Sequence, residues 1–156
     1  MRIDWKKLVV SLAIPVAGGA LAGWATSGGM QAFENLAKPA FSPPALAFPI
    51  AWSVLYLLMG ISCYLIWTRE ADENRRKRAL ALYGAQLAVN WLWPVWFFAL
   101  GAYLWAFIWL AILLALVLVM ISAFLRIYRP AAYLQIPYAL WLTFAAYLNL
   151  GIALMN

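Results

Sequence analysis

Five apolar runs, at residues 6–26, 46–68, 79–98, 103–126 and 131–154, restrict this chain more than any other feature. At ~1.5 Å of rise per residue, a helix over each is long enough to cross the ~30 Å hydrocarbon layer of a bilayer. No water reaches backbone N–H and C=O groups at that depth, so the segment must satisfy them internally, as a helix does. Charge content agrees: 10% of the residues are charged, where a water-soluble domain carries about 25%. The expectation is an all-α membrane protein, a single five-helix transmembrane domain over residues 1–156. The first run shares features with a signal peptide, a basic start and a small-residue "ALA". It outlasts an ordinary h-region, however, and cleavage would leave four helices with a weaker charge asymmetry.

Lysine and arginine positions predict the orientation. With the N-terminus inside, the inner segments hold Arg2, Lys6, Lys7, Arg69, Arg75, Arg76, Lys77, Arg78, Arg126 and Arg129. The outer side holds Lys38 alone. Such a bias in short loops places the N-terminus inside and the C-terminus outside. The net charge of +6 therefore reflects loops beside membrane helices, and nucleic acid is not an expected partner. The charge run "READENRRKR" reads as a solvated inner loop.

Several chemistries are excluded by what is missing. There is no histidine, and Cys63 is the single cysteine. The commonest metal ligand, the usual haem axial ligand and the usual general base are thus absent together. Asp4, Glu34, Glu70, Asp72 and Glu73, the only acidic residues, all lie outside the apolar interiors. An ion- or proton-coupled pump generally needs ionisable groups within the membrane, and a hydrolytic enzyme needs a base beside a nucleophile. Neither can be assembled here. A solute channel lacks a charged ring or a continuous polar lining.

Aromatic and neutral polar groups remain. Ten tryptophans are present, and Trp5, Trp67, Trp91, Trp93, Trp96 and Trp105 fall near span ends, where an interfacial belt accounts for them. Trp141 lies ~15 Å into the fifth span, below belt depth. Trp52 falls ~9 Å and Asn90 ~12 Å below the outer edge on the same rise. Helical spacing groups Trp52, Tyr56 and Cys63 on the second span; Tyr83, Gln86 and Asn90 on the third; Pro137, Trp141, Ala145 and Asn149 on the fifth. Facing inward, these stripes would form an uncharged aromatic cavity in the outer leaflet, suited to a flat apolar molecule with a few polar edges. Buried Asn and Gln also join helices through hydrogen bonds, and spacing alone leaves both roles open. Outside the first span, residues 27–45 include Pro39, Pro43 and Pro44, with Pro49 close behind. Proline presets the backbone of such a loop and lowers the entropy lost in holding it over a cavity.

The segments "NLAKPAFSPP", "FPIAWSVLYLLMG", "QLAVNWLWPVWFF" and "PYALWLTFAAYLN", in this order, resemble the tryptophan-rich sensory protein family, also called the translocator protein or peripheral benzodiazepine receptor family. The resemblance implies a five-helix bundle, usually a homodimer, that binds porphyrins and benzodiazepine-type ligands, with sterol in some members. It requires no cofactor; porphyrin or haem enters as a ligand. It implies a pocket between helices, covered by the loop after the first, using Pro43, Trp52, Asn90, Trp141 and Ala145. Together with the spacing, the candidate ligand-binding set is Phe33, Pro43, Trp52, Tyr56, Asn90, Trp141, Ala145 and Asn149. The resemblance also points to the third helix for the dimer, through Ala81, Gly84, Ala85 and Ala88, although Gly19 and Gly23 offer another small-residue face. Some members are reported to degrade porphyrin in light, and in that reading Trp52 and Trp141 are the redox-active residues. Three departures stand out. Ala32 and Phe33 replace a frequent Trp-Tyr pair, Leu46 replaces a frequent tryptophan, and "YLNLGIALMN" carries no basic residue after Tyr147. The last breaks the proposed sterol pattern and weighs against sterol. The pattern of loops is expected of a prokaryotic cytoplasmic membrane protein.

Overall fold

The computed structural model describes residues 2–156. Its long helices are α1 (Trp5–Ala25), α3 (Ala47–Thr68), α4 (Glu73–Pro94), α5 (Tyr103–Leu125) and α7 (Ile136–Met155). Two one-turn helices, α2 (Met30–Glu34) and α6 (Arg129–Tyr133), sit in the connections before α3 and before α7. Every regular element among the described residues is helical. By length and apolarity, four helical segments can cross a membrane: Trp5–Ala25, Ala47–Thr68, Tyr103–Leu125 and Arg129–Met155. The remaining long helix, α4, begins in "ENRRKR", so its first turns are charged. Asp72 caps it by accepting the Arg75 N–H at 3.0 Å, which satisfies one of the free donors at a helix start. Helix and apolar run therefore part company here: α4 starts at Glu73, six positions before the run at Ala79.

The fifth apolar run is likewise two helices. The chain turns at Leu134 and Gln135 between α6 and α7, and prolines stand in the first turn of each, where a missing N–H removes no helical bond. After Pro94 the helix widens into a π-turn, Val95–Ala99. Gly101, at φ +60°, then reverses the chain into α5, a conformation glycine adopts without steric penalty.

α5 is the central post of the bundle. Its Ala106, Leu110, Leu113, Val117, Met120 and Phe124 are all buried, at alternating steps of four and three that make a continuous seam. That seam packs between α4 and α7. Buried Leu55, Met59 and Ile66 of α3, Tyr83 and Leu87 of α4, and Tyr138 and Leu142 of α7 complete the same core. α1 is the outlier. Only Ser11 and Pro15 of its residues are buried, and Val9, Ile14, Leu21 and Trp24 face outward. It packs chiefly on α3, where Gly60 permits close approach: a Cβ there would stand 2.7 Å from the Ser11 carbonyl oxygen.

Candidate functional site

Neutral hydrogen bonds tie α3, α4 and α7 together in a chain. The Tyr56 hydroxyl donates to Asn90 Oδ1. Asn90 Nδ2 donates to the Tyr138 hydroxyl at 2.7 Å, and Tyr138 donates to Gln86 Oε1 at 2.8 Å. Gln86 Nε2 ends the chain with a 3.9 Å contact to Met59 Sδ. Asn90, Tyr138 and Gln86 are buried, and a buried amide without partners would lose its hydration uncompensated. The chain thus fixes the amides and leaves Tyr56 as the member nearest open space.

That space is a cavity of about 510 Å³ between α1, α3 and α4, within the range of small-molecule pockets. Trp52 and Tyr56 of α3, Asn90 and Trp93 of α4, and Phe48 and Phe98 supply its larger side chains. α1 supplies a wall of small residues, including Gly19, Ala20 and Gly23. Gly19 makes room for the Tyr56 ring, whose nearest carbon would lie 2.2 Å from an added Cβ. Gly18 does the same for Trp91, also at 2.2 Å, whereas Gly23 has nothing within 4 Å. Val16 and Leu57 line the cavity and are themselves exposed, so the space reaches the bundle's outer surface between α1 and α3. No charged side chain lines it. Its chemistry is stacking, shape and a few neutral polar edges.

An aromatic train leads outward from the cavity. Trp52 lies 5.6 Å from Tyr56 and 6.4 Å, edge to face, from Trp141. Trp141 meets Phe48 at 6.0 Å, and Phe48 meets Phe33 of α2 at 5.5 Å. Phe33 is buried against Phe97 and Phe98, and Lys38 Nζ sits 4.9 Å above its ring. Such ring pairs add stabilisation beyond their buried area.

The eight candidate residues thus separate into layers. Trp52, Tyr56 and Asn90 line the cavity; Phe33, Pro43, Trp141, Ala145 and Asn149 do not. Trp141 stands directly behind Trp52, and its indole N–H has no acceptor among the described residues. Ala145 and Asn149 are buried in α7, the Asn149 amide without a partner among the described residues. Pro43 is half-buried in a loop that lies along the C-terminal end of α7. There Asn156 clamps Ala37, accepting its N–H at 3.2 Å and donating to its carbonyl at 2.8 Å. The Tyr147 hydroxyl donates to the Ala40 carbonyl at 2.9 Å. Pro39 rests on Gly151, where an added Cβ would meet its ring at 2.6 Å.

Sequence reasoning took Gly19 and Gly23 as a helix-contact face and not as a cavity wall, overlooked Phe48 and Phe98, and assigned Trp93 to the interfacial belt. The signal for the wall was "GGALAG" at helical spacing, small residues that open a space by what they lack. Ala81, Gly84, Ala85 and Ala88 form an exposed face of α4, and nothing lies within 4 Å of a Cβ at Gly84.

Residues 11–155 match the model of the TspO/MBR family. The chain is 34% identical over 151 residues to the translocator protein of Bos taurus, covering 96% of this chain and 89% of that one. It is 32% identical over 160 residues to the tryptophan-rich sensory protein of Cereibacter sphaeroides, covering 100% and 95%. A translocator protein homolog of Schizosaccharomyces pombe is 37% identical over 128 residues, covering 80% and 77%. Helices apolar enough to span a bilayer, a cavity walled by tryptophan, tyrosine and asparagine, and a match over nearly the whole length lead to one conclusion: the chain is a multi-pass integral membrane protein of the TspO/MBR family.

Proposed function

We propose that this protein is a membrane receptor for porphyrin-type tetrapyrroles, haem-like ones included, which it holds in the cavity between α1, α3 and α4 for sensing or transport. Benzodiazepine-type ligands, flat and mostly apolar, suit the same space; sterol does not enter the proposal. The observation that carries it is the uncharged aromatic lining, Trp52, Tyr56, Trp93, Phe48 and Phe98 around Asn90. A macrocycle can stack on those rings, direct a polar edge to Asn90 or Tyr56, and extend through the opening between α1 and α3. Names among the relatives, translocator and sensory protein, accord with this role.

The orientation that goes with it is five spans, including α4, with the N-terminus inside and the loop before α3 outside. Ten of eleven basic residues then lie inside, as the positive-inside rule requires. A homodimer through Ala81, Gly84, Ala85 and Ala88 is part of the proposal, because small residues on an exposed helix face let two backbones approach closely in lipid. The setting is a prokaryotic cytoplasmic membrane.

The test is a titration of protoporphyrin into the detergent-solubilised protein. Saturable quenching of tryptophan fluorescence is expected, with haem and the metal-free porphyrin bound alike, since no histidine is present to ligate iron. Quenching no greater than that of an unrelated membrane protein would defeat the reading.

A second reading, light-dependent porphyrin degradation, is favoured by one contact: Trp141 stands edge to face behind Trp52 at 6.4 Å, a pair through which an electron hole could pass. Illuminating the complex separates the two. A new pigment lost in Trp52→Phe and Trp141→Phe, with binding retained, would establish catalysis; unchanged pigment spectra would leave a receptor.

A further inference from the structure

At the opposite end of the bundle from the aromatic cavity, the structure opens a second recess, of about 850 Å³, where the start of α1, the end of α3 and the first turn of α4 meet. Four cationic side chains line it: Arg2, Lys7, Arg69 and Arg76. The carboxylates of Asp4 and Glu70 share the recess and leave an excess of positive charge. Asp4 is already engaged, accepting the Lys7 N–H at 3.2 Å and standing 3.9 Å from Lys7 Nζ. No carboxylate lies within ion-pairing distance of Arg2, Arg69 or Arg76 among the described residues.

The aromatic neighbours set these cations in place. The Arg69 guanidinium stacks 4.1 Å over the Tyr128 ring, which holds its plane and leaves its N–H edge free. Arg76 reaches back to the Arg69 carbonyl at 3.3 Å, tying α4 to the loop that follows α3. Lys7 Nζ lies 5.4 Å over Trp67. The Tyr64 hydroxyl accepts the Asp4 N–H at 3.0 Å, and its own proton, bonded to no acceptor among the described residues, is available to a guest in the recess. Guanidinium edges, an ammonium and a phenol around one opening are the donors that recognise phosphate oxygens.

We propose that this recess binds the phosphate of an anionic glycerophospholipid of the inner leaflet, a site separate from the tetrapyrrole cavity that rests on the orientation proposed above and not on tetrapyrrole binding. Two features favour a lipid over a free phosphate ion. The recess is far larger than one phosphate requires. Beside its basic residues in the chain stand Ile3 and Trp5, 50% and 65% exposed, apolar side chains at the start of α1 that suit the acyl chains of a lipid. Basic pockets between helices at the cytoplasmic face are where such headgroups bind.

The experiment is native mass spectrometry of the full chain released from mixed micelles containing dioleoyl phosphatidylglycerol and dioleoyl phosphatidylcholine in equal amounts. One phosphatidylglycerol should be retained per chain, in preference to phosphatidylcholine by about tenfold, the scale of one to two basic contacts at a membrane surface. The double variant Arg69→Gln with Arg76→Gln should lose the preference. Lys77→Gln with Arg78→Gln, which removes equal charge from α4 outside the recess, should keep it. Equal retention of both lipids by the unaltered protein overturns the proposal, and this arm needs no variant to fold. Equal loss in the two double variants also overturns it, reducing the effect to diffuse charge. Displacement of the lipid by millimolar inorganic phosphate would reassign the recess to a free anion. Displacement by polyglutamate would reassign it to an acidic protein partner.

Discussion

α5 and α1 are both apolar helices of spanning length, yet they are built for different work. α5 places six buried side chains in one seam, and everything else in the core packs around it. α1 buries two, although it packs closely on α3 and its glycines admit the rings of Tyr56 and Trp91. In lipid there is no hydrophobic penalty for leaving a leucine at the surface, so a helix can pack its backbone closely on one neighbour, as α1 does on α3, while burying few side chains. The contrast separates a frame, α4, α5 and α7, from a lipid-facing wall, α1, with the cavity between α1, α3 and α4.

The largest expected effect tests the frame. Leu113 is fully buried in α5 and Leu21 of α1 is 64% exposed. Leu113→Ala should lower unfolding free energy in micelles by about 2 kcal/mol, the low end of the range for buried leucine because hydrocarbon replaces water as the alternative surroundings. Leu21→Ala should change it by less than about 0.5 kcal/mol, as at other surface positions. Equal losses would abolish the distinction between frame and wall. The next effect concerns the wall's shape. Gly23 lines the cavity with nothing within 4 Å of a Cβ, so Gly23→Phe should fill the space without straining the helix. Porphyrin affinity should fall at least tenfold, about 1.4 kcal/mol, with the melting temperature unchanged. Unaltered affinity would move the ligand elsewhere.

How far the residue pattern revealed this arrangement depends on what each part is made of. α1, α3 and α5 begin and end within one residue of their apolar runs, because there the apolar stretch and the helix stop together. α4 does not: its charged first turns are helical through capping and propensity, properties that apolarity does not report. On α7 the stripe drawn through Pro137, Trp141, Ala145 and Asn149 follows steps of four. Each such step overshoots a turn of 3.6 residues by about 40°, so the stripe winds off the buried face. Ala145 and Asn149 are buried, Pro137 is exposed and Trp141 half-buried, while Tyr138, one position along, is the residue at the centre of the hydrogen bonds. Tyr56 and Asn90 were legible because an isolated phenol or amide in an apolar helix needs a partner. The glycine wall was legible only as a small-residue face, because small residues at helical spacing signal close helix approach and an open space alike.

Tyr138→Phe comes next in size and bears on the frame alone. Losing its hydroxyl strips Asn90 Nδ2 and Gln86 Oε1 of their bonds at 2.7 and 2.8 Å. Polar bonds between membrane helices average about 0.6 kcal/mol and reach about 1.7; two lost together should lower stability by about 1 kcal/mol. Since Tyr138 does not line the cavity, porphyrin affinity should fall by no more than about threefold, through misplacement of Asn90. A loss as large as that of Gly23→Phe would make the hydrogen-bonded chain part of the binding surface.

The smallest effect concerns the loop before α3, which rests on the frame rather than on the wall. Asn156→Ala removes both bonds to Ala37, but leaves Pro39 against Gly151 and Tyr147 on Ala40. Exposed bonds of this kind contribute about 0.5 kcal/mol, so global stability should barely move. Hydrogen exchange should rise by a few-fold at the amides of Leu36 to Ala40 and stay constant in α1. Porphyrin release should change little, because the clamped residues Leu36 to Ala40 line none of the cavity, which the connection meets only at Thr26, Ser27 and Met30, and the opening lies between α1 and α3. Faster release in Asn156→Ala would make the loop a gate. The route for ligand would then run over the fixed helices rather than past α1.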